Sequence, residues 1–274
     1  MEETAISVRP QALRFERIPV NWNVARRFVS PLAIVLVWQI GSMSHAIPAT
    51  KLAAPIAILQ TFWSLAASGE LFVHLTVSLT RVLVGLLAGV SIGVALALVA
   101  GLSRAGDDAV DPVMQGLRTL PYLGMAPLLI LWFGIGELPK LALVAFASAF
   151  PVYLTLLGGI RAVDPKLVEA MHVFGLDRWQ TIRAVILPSA LAPALVGLRY
   201  ALGAAWLSLV VSEQINADRG IGYLIMEARD FLRTDVIVVG LLVYALLGLG
   251  TDALVRIVER RALAWRPSIL RGNP

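Results

Sequence analysis

The sequence predicts an all-α integral membrane protein with about six transmembrane helices. Hydrophobic residues make up 58% of the chain and charged residues 15%, whereas about 25% of the residues in soluble domains are charged. Several apolar runs approach or exceed the roughly 20 residues that a helix needs to cross a bilayer. The chain contains no Cys, which excludes disulfide bonds, a thiolate nucleophile and a Cys-ligated metal.

The first predicted span covers residues 28–43 and has Pro31 near its start, where a helix tolerates proline. Residues 1–27 are too polar and too long to precede the apolar core of a cleaved signal peptide, so we interpret this span as an uncleaved anchor. Residues 47–72 are mixed in polarity and predict an external segment with a surface helix around residues 56–67.

The second and third spans have features that indicate how they pack. The second covers residues 75–101, and its Gly85, Gly89 and Gly93 recur every four residues, which places them on one helix face open to close backbone approach. A phosphate-binding loop would need a preceding strand and a GKS-type ending, so we favour helix packing. The third covers residues 113–134, and its prolines, Pro121 and Pro127, predict a kinked or broken helix inside the bundle or along a cavity.

Three further spans are predicted over residues 141–159, 191–211 and 236–257, with Pro151 inside the first of them. The stretch between the last two is NADRGIGYLIMEARDFLRTD. Its polar composition predicts an external loop.

The distribution of Lys and Arg predicts the orientation of these spans. Of the 23 basic residues, 16 fall on the side that holds both termini, including Arg104 and Arg118, and Arg81 and Arg199 lie within spans. The positive-inside rule then places both termini in the cytoplasm. We attribute the net charge of +5 to this topology and expect no nucleic-acid partner.

The cytoplasmic segment 161–188 predicts two short helices joined by a sharp turn. Asp164 and Pro165 are suited to begin a helix, Gly175 to end it, and Asp177 with Gln180 to form a capping box for the next helix. Pro188 is expected to end the unit at the membrane. The apolar side chains of the two helices are Leu167, Ala170, Met171, Phe174, Trp179, Ile182, Val185 and Ile186.

Those apolar side chains need a surface to cover them. They either pack on the protein's own helices or dock into a groove of a soluble partner. The helical pattern alone leaves both alternatives open.

The same segment resembles the EAA loop of ATP-binding-cassette (ABC) importer permeases. That motif has EAA, three residues, Gly, nine residues and I-x-L-P, and here Glu169, Ala170 and Met171 precede Gly175, followed by Val185, Ile186, Leu187 and Pro188. Met171 and Val185 depart from the motif but stay apolar. Longer stretches such as LILWFGIGELPK and LPSALAPALVGLRYALGAAWLSLVVSEQI are similar to the sulfonate, taurine and nitrate branch, and most similar to its aliphatic sulfonate permeases.

The resemblance implies a type I ABC importer permease-like bundle in the bacterial inner membrane. It implies a cytoplasmic tail at 1–27, a first span with its external segment at 28–72, a permease domain at 73–258 and a cytoplasmic tail at 259–274. The loop around Glu169, Ala170, Met171, Phe174, Gly175, Leu187 and Pro188 would dock on ABC ATPase subunits. The implied partners are these ATPases, which carry ATP and Mg²⁺, an external substrate-binding protein, a second permease copy and membrane lipid.

Arg81 and Arg199 are the ionisable residues placed deepest in the predicted spans. A mid-bilayer Arg costs about 2.5–3.5 kcal/mol on insertion scales, so both are expected to face the bundle interior or water. They could attract an anionic sulfonate along its path, but structural ion pairs or snorkelling are favoured for both. Glu213 is placed at the external end of the fifth span, where it could pair with an Arg of the external loop.

No cofactor, metal or catalytic constellation is expected in this chain. His45, His74 and His172 lack the spacing of metal ligands. The open alternatives are a permease of the same type for taurine, nitrate or another small molecule, and an ion-coupled carrier that acts alone. Such carriers often use midplane carboxylates, and the acidic residues here cluster at loops and span ends.

Overall fold

The structure is a computed structural model that describes residues 22–265, and this range is helical throughout apart from short connections. The helices are α1 (Trp22–Met43), α2 (Pro55–Ala67), α3 (Glu70–Leu102), α4 (Arg104–Arg118), α5 (Ala126–Phe133), α6 (Glu137–Arg161), α7 (Pro165–Val173), α8 (Arg178–Thr181), α9 (Leu187–Ile215), α10 (Ile221–Asp230) and α11 (Thr234–Ala262).

Four continuous helical stretches within the described residues are long and apolar enough to cross a bilayer. They are α3, α6, the stretch Arg178–Ile215 that ends in α9, and α11. A fifth span results if α4 and the stretch Tyr122–Phe133 are counted together, although an 89° bend separates them. The apolar part of α1, Val29–Met43, is shorter, so six spans require both the bent pair and α1.

The core of the bundle is α6, which packs between α3 and α9. Glycines permit this close approach: a Cβ on Gly89 of α3 would lie 2.3 Å from the carbonyl oxygen of Ala145, and one on Gly93 would lie 2.5 Å from that of Ala149. On the α9 side, a Cβ on Gly197 would lie 1.9 Å from the hydroxyl of Thr155. The predicted packing role of the glycine face is thus confirmed.

The third span is broken at Pro121, as the sequence predicts. Pro121 lies in the extended region at φ −73° and ψ 88°, between the end of α4 and a short 3-10 turn, Tyr122–Met125. Pro127 does not kink a helix, because it occupies the first turn of α5, where its missing N–H has no partner to lose.

The loop between α9 and α11, which the sequence predicts to be external, is not simply polar, and this corrects the predicted composition. It contains α10, whose Ile221 is fully buried and whose Leu224 is 3% exposed. These side chains join an apolar cluster with Ile58 of α2 and Val239 of α11. The apolar residues of α10 follow a helical spacing that the charges at its ends obscure.

Two helices extend beyond the predicted spans, while the predicted tail boundaries stay predictions. Helix α1 begins at Trp22 rather than at residue 28, and α11 continues to Ala262 instead of ending at residue 257. The rest of the predicted tails, residues 1–21 and 266–274, lies outside the described residues.

A Gly89→Ala variant tests the close packing of α3 on α6. The new methyl group would overlap Ser148 and Ala145, so we expect a loss of about 1–3 kcal/mol in stability. Gly248→Ala of α11 is the matched control, because no atom lies within 4 Å of its Cβ position. Thermal unfolding of both variants in detergent micelles measures the difference. An equal melting temperature for the two would contradict the glycine contact.

Candidate functional site

The segment between α6 and α9 folds as the sequence predicts. The Asp164 carboxylate accepts a hydrogen bond from the backbone N–H of Lys166 at 2.9 Å and caps α7. Gly175 adopts φ +79°, where an L side chain is strained. Its N–H donates to the carbonyl of His172 and that of Leu176 donates to the carbonyl of Met171, which completes a Schellman turn.

The second helix of the segment begins with the predicted capping box but does not end at Pro188. The N–H of Gln180 donates to Asp177 at 2.7 Å, and that of Asp177 donates to the Gln180 side chain at 2.9 Å. From Ile182 to Ile186 the helix widens into a π turn and runs directly into α9. Pro188 lies in the first turn of α9, just after this widened turn, so the helix continues through it.

The residues at the tip of this segment do not pack on the rest of the described chain. Val173 is 86% exposed, Phe174 77% and Trp179 55%, while Glu169 is exposed and Met171 half-buried. Val173 and Phe174 thus lie beside the Gly175 turn largely exposed, whereas the guanidinium of Arg183 lies over the Trp179 ring, 4.6 Å from its centroid. The geometry of the loop is favourable for docking, and its role in docking stays a prediction.

Both ends of the segment are tied to the corner between α3 and α4. The guanidinium of Arg161, at the end of α6, pairs with Asp107 and lies 3.6 Å from Asp111 of α4. The guanidinium of Arg178 donates to the carbonyl of Leu102, the last residue of α3. These contacts connect the segment to α3 and α4.

At the opposite end of the bundle, Arg81 is buried in a charge network. It is 6% exposed, and its Nε and Nη2 atoms each donate to Glu137 at 2.6 Å, while its Nη1 donates to Glu213 at 2.8 Å. Bidentate pairing of this kind is among the strongest charge-assisted geometries. The network joins α3, α6 and α9.

Glu213 is the centre of that network, and it differs from the sequence expectation. It is 1% exposed and pairs with Arg81 of α3, not with an Arg side chain of the external loop. Its carboxylate also accepts hydrogen bonds from Ser78, from Tyr244 at 3.0 Å and from the N–H of Gly222 at 2.9 Å.

The same network fixes the N-terminus of α10. The first N–H groups of that helix would lack intrahelical partners. Here the N–H of Gly220 donates to His74 Nδ1 at 3.0 Å, and that of Ile221 donates to Ser78 at 2.8 Å. Helix α10 is therefore bound to α3 by polar contacts as well as by apolar packing.

Arg199 is paired as well. Its Nη2 donates to Glu259 at 2.6 Å, and its Nε lies 3.3 Å from the Asp252 carboxylate, both on α11. Ion pairs are therefore present at both Arg81 and Arg199, and their predicted place on a translocation path stays a prediction. Within residues 22–265, no group of three or more His, Asp or Glu could hold a metal.

Arg118 lies within the predicted third span, residues 113–134, but it was counted with the basic residues of the cytoplasmic side and was not predicted as a site residue. The residue ends α4 and lines a cavity of about 370 Å³ together with Phe150, Pro151 and Tyr200. One feature of the sequence indicates this position: a charged residue just before Pro121, in a broken span, is expected to face a cavity and not lipid.

The sequence matches the family model described as "Binding-protein-dependent transport system inner membrane component" over residues 89–263. The chain belongs to this family. Its fold is that of the membrane subunit of an ABC importer, and the all-α bundle inferred from the sequence is confirmed. Such a chain is a transport subunit and not an enzyme.

Several curated relatives cover most of the chain. The aliphatic sulfonates transport permease protein SsuC of Escherichia coli (strain K12) is 46% identical over 87% of this chain and 90% of the relative. The SsuC protein of Bacillus subtilis (strain 168) is 43% identical over 87% and 86%. The taurine transport system permease protein TauC of Escherichia coli (strain K12) is 32% identical over 94% and 98%.

Two solved structures share the fold. A crystal structure of an amino acid ABC transporter has a TM-score of 0.60 and 23% identity, over 73% of this chain and 98% of that one. An inward-facing structure of the MetNI methionine ABC transporter has a TM-score of 0.53 and 18% identity, over 66% and 92%. At these identities the likeness concerns the fold alone.

An Arg81→Met variant tests the buried network. It leaves the buried carboxylate of Glu213 without its cation, and breaking such a pair costs about 3–5 kcal/mol. Arg233→Met is the control, because Arg233 lies 3.4 Å from Asp235 in an exposed pair worth about 0–1 kcal/mol. Unfolding in detergent, followed by circular dichroism, should show a large loss only for Arg81→Met. Similar losses would argue against a central role for this network.

Proposed function

We propose that this chain translocates aliphatic sulfonates across the bacterial inner membrane with energy from a partner ATPase. The observation that supports aliphatic sulfonates as the substrate is the sequence identity of 43–46% with two aliphatic sulfonate permeases, compared with 32% with the taurine permease. A permease for taurine, nitrate or another small molecule is the nearest alternative, since these transporters share their architecture.

An ion-coupled carrier that acts alone has less support. A coupling ion requires a carboxylate that can change its partner or its proton during transport. Glu213, the most buried carboxylate of the described spans, accepts hydrogen bonds from Arg81, Ser78, Tyr244 and Gly222 at once. Such a saturated group is suited to hold the fold together.

The cytoplasmic ATPase is proposed to bind the tip of segment 161–188. Phe174, Val173 and Trp179 offer exposed apolar surface, and helix-in-groove docking uses side chains of this kind. Glu169 and Met171 lie on α7, the helix that also carries Val173. Leu187 and Pro188 begin α9 and connect the segment to the bundle. ATP and Mg²⁺ would be held by the ATPase, and no cofactor by this chain.

The remaining partners follow from the family and from the topology. A substrate-binding protein would deliver its ligand to the external face, where α2 and α10 lie. A second copy of the chain and membrane lipid would cover the exposed apolar faces of the long helices. The excess of Lys and Arg on one side supports cytoplasmic termini.

Transport requires an outward-open and an inward-open state, and the ATPases must favour one over the other. The contacts of Arg161 and Arg178 would connect the action of the ATPases to this equilibrium between the two states. Closure of the ATPases would shift segment 161–188, and these contacts would carry the shift to α3 and α4.

Growth of a strain that lacks this chain tests the substrate. We expect no growth with an alkanesulfonate as the sole sulfur source and normal growth on sulfate. Taurine serves as the specificity control and should still support growth. Normal growth on all three sources, in a strain without a redundant importer, would refute the sulfonate assignment.

A Gly175→Pro variant tests the docking loop. Proline requires φ near −65°, so the turn at φ +79° would be lost together with the shape of the docking surface. We expect normal membrane insertion, but at least a tenfold loss of uptake and of ATPase co-purification, equivalent to about 1.4 kcal/mol of docking energy.

Gly134→Pro is the matched control for this experiment. Gly134 has φ +77° and no atom within 4 Å of its Cβ position, but it follows α5 at the other end of the bundle. Glu169→Lys is the second test, since it reverses an exposed charge without altering the turn. Full ATPase association in both Gly175→Pro and Glu169→Lys would exclude the coupling role.

A further inference from the structure

A cavity of about 370 Å³ lies between the broken third span, α6 and α9, and none of the contacts described so far uses it. Its wall is almost entirely apolar and rich in aromatic rings. Phe146 and Phe150 meet edge to face with 4.8 Å between their ring centroids. Tyr122 of the 3-10 turn and Tyr200 of α9 contribute the other rings.

One cation, Arg118, lines this apolar cavity. Arg118 is exposed on the described chain, and it shares the cavity with Phe150 and Pro151, which lie near the midpoint of the 25-residue helix α6. No carboxylate lies within 4 Å of it in the range 22–265, in contrast to Arg81 and Arg199. A cation beside the middle of a spanning helix is expected to face water, a polar partner or a ligand and not lipid.

We propose that this cavity is a transient binding site for the transported amphiphile. The Arg118 guanidinium binds the anionic head group, and Phe146, Phe150 and Tyr200 contact the apolar tail. An organic monoanion with a short hydrocarbon chain matches both features, because it needs one charge-assisted contact and an apolar wall. The assignment rests on the proposed function, and it names the residues that would hold the sulfonate within the membrane.

The position of the cavity suits a site that opens and closes during transport. Its walls come from two continuous helices and from the break at Pro121, where the backbone bends by 89° between α4 and α5. Irregular backbone at membrane depth is tolerated where it lines a cavity or is buried in protein. A change in the angle at this break would alter the space around Arg118.

The first experiment measures ATP-driven uptake of hexanesulfonate by the complete transporter in proteoliposomes, with its ATPase and binding protein. We expect Arg118→Gln to lower uptake about ten- to a hundredfold, the contribution of a charged hydrogen bond, and Arg118→Lys to restore part of it. Arg104→Gln is the matched control, because Arg104 is an exposed Arg at the start of the same helix and forms no ion pair with residues 22–265.

The second experiment tests the apolar wall by chain length. Ala204→Leu adds bulk to the cavity, so uptake of hexanesulfonate should fall relative to methanesulfonate, by about fourfold for each methylene that the cavity no longer accepts. A variant that is merely destabilised would lose uptake of both ligands in parallel. ATPase activity and complex assembly, measured on the same samples, identify that case.

The outcomes separate the site from the proposed function. Wild-type rates in Arg118→Gln, or an unchanged chain-length ratio in Ala204→Leu, would overturn the site and leave the sulfonate function standing. Dissociation of the Arg118→Gln complex would also overturn it, because the arginine would then hold an interface. A wild-type transporter that carries no alkanesulfonate would overturn both.

Discussion

The close packing of α3 and α9 on α6 is the interaction on which the rest of the structure depends. Lipid offers helices little hydrophobic gain from association, so helix packing in the bilayer relies on close backbone contact. Gly89 and Gly93 supply that contact on one side of α6 and Gly197 supplies it on the other. Because α6 is fixed in this way, its first residue, Glu137, can pair with Arg81, and its last residue, Arg161, can pair with α4. Its midpoint can form one wall of the cavity.

The described arginines within the membrane fall into two physical classes. Arg81 and Arg199 have acidic partners, and the charges they carry are neutralised locally. Those pairs fix the relative positions of helices and leave little charge to attract a passing anion. Arg118 has no acidic partner within the described residues and lines a cavity beside aromatic rings, as the proposed anion site requires. The two classes differ in whether the arginine has an acidic partner, and not in how deep the arginine lies in the membrane. A hydropathy profile indicates only the depth.

Local features of the structure were predictable from the sequence, and features that depend on distant contacts were not. The capping box at Asp177, the turn at Gly175 and the glycine face of α3 are each specified by a few adjacent residues. The partners of Glu213 come from residues up to 135 positions away, so no local pattern indicated its burial. The cavity position of Arg118 was not predictable for a related reason: it depends on how α4 folds back on α3, whereas a count of charges considers only the local sequence.

Helix α4 connects the two regions to which a function is assigned. Its first turns carry Asp107 and Asp111, which meet Arg161 at the base of the docking segment, and its last residue is Arg118 at the cavity. This helix has 15 residues and is about 22 Å long, with Pro112 between the two acidic residues and Arg118. Tyr153 of α6 is fully buried, and its hydroxyl donates a hydrogen bond to Asp111 at 2.7 Å. This contact attaches α4 to α6 at Asp111. If ATPase docking changes the affinity of the cavity through this helix, linkage requires the bound anion to change the docking equilibrium by the same factor.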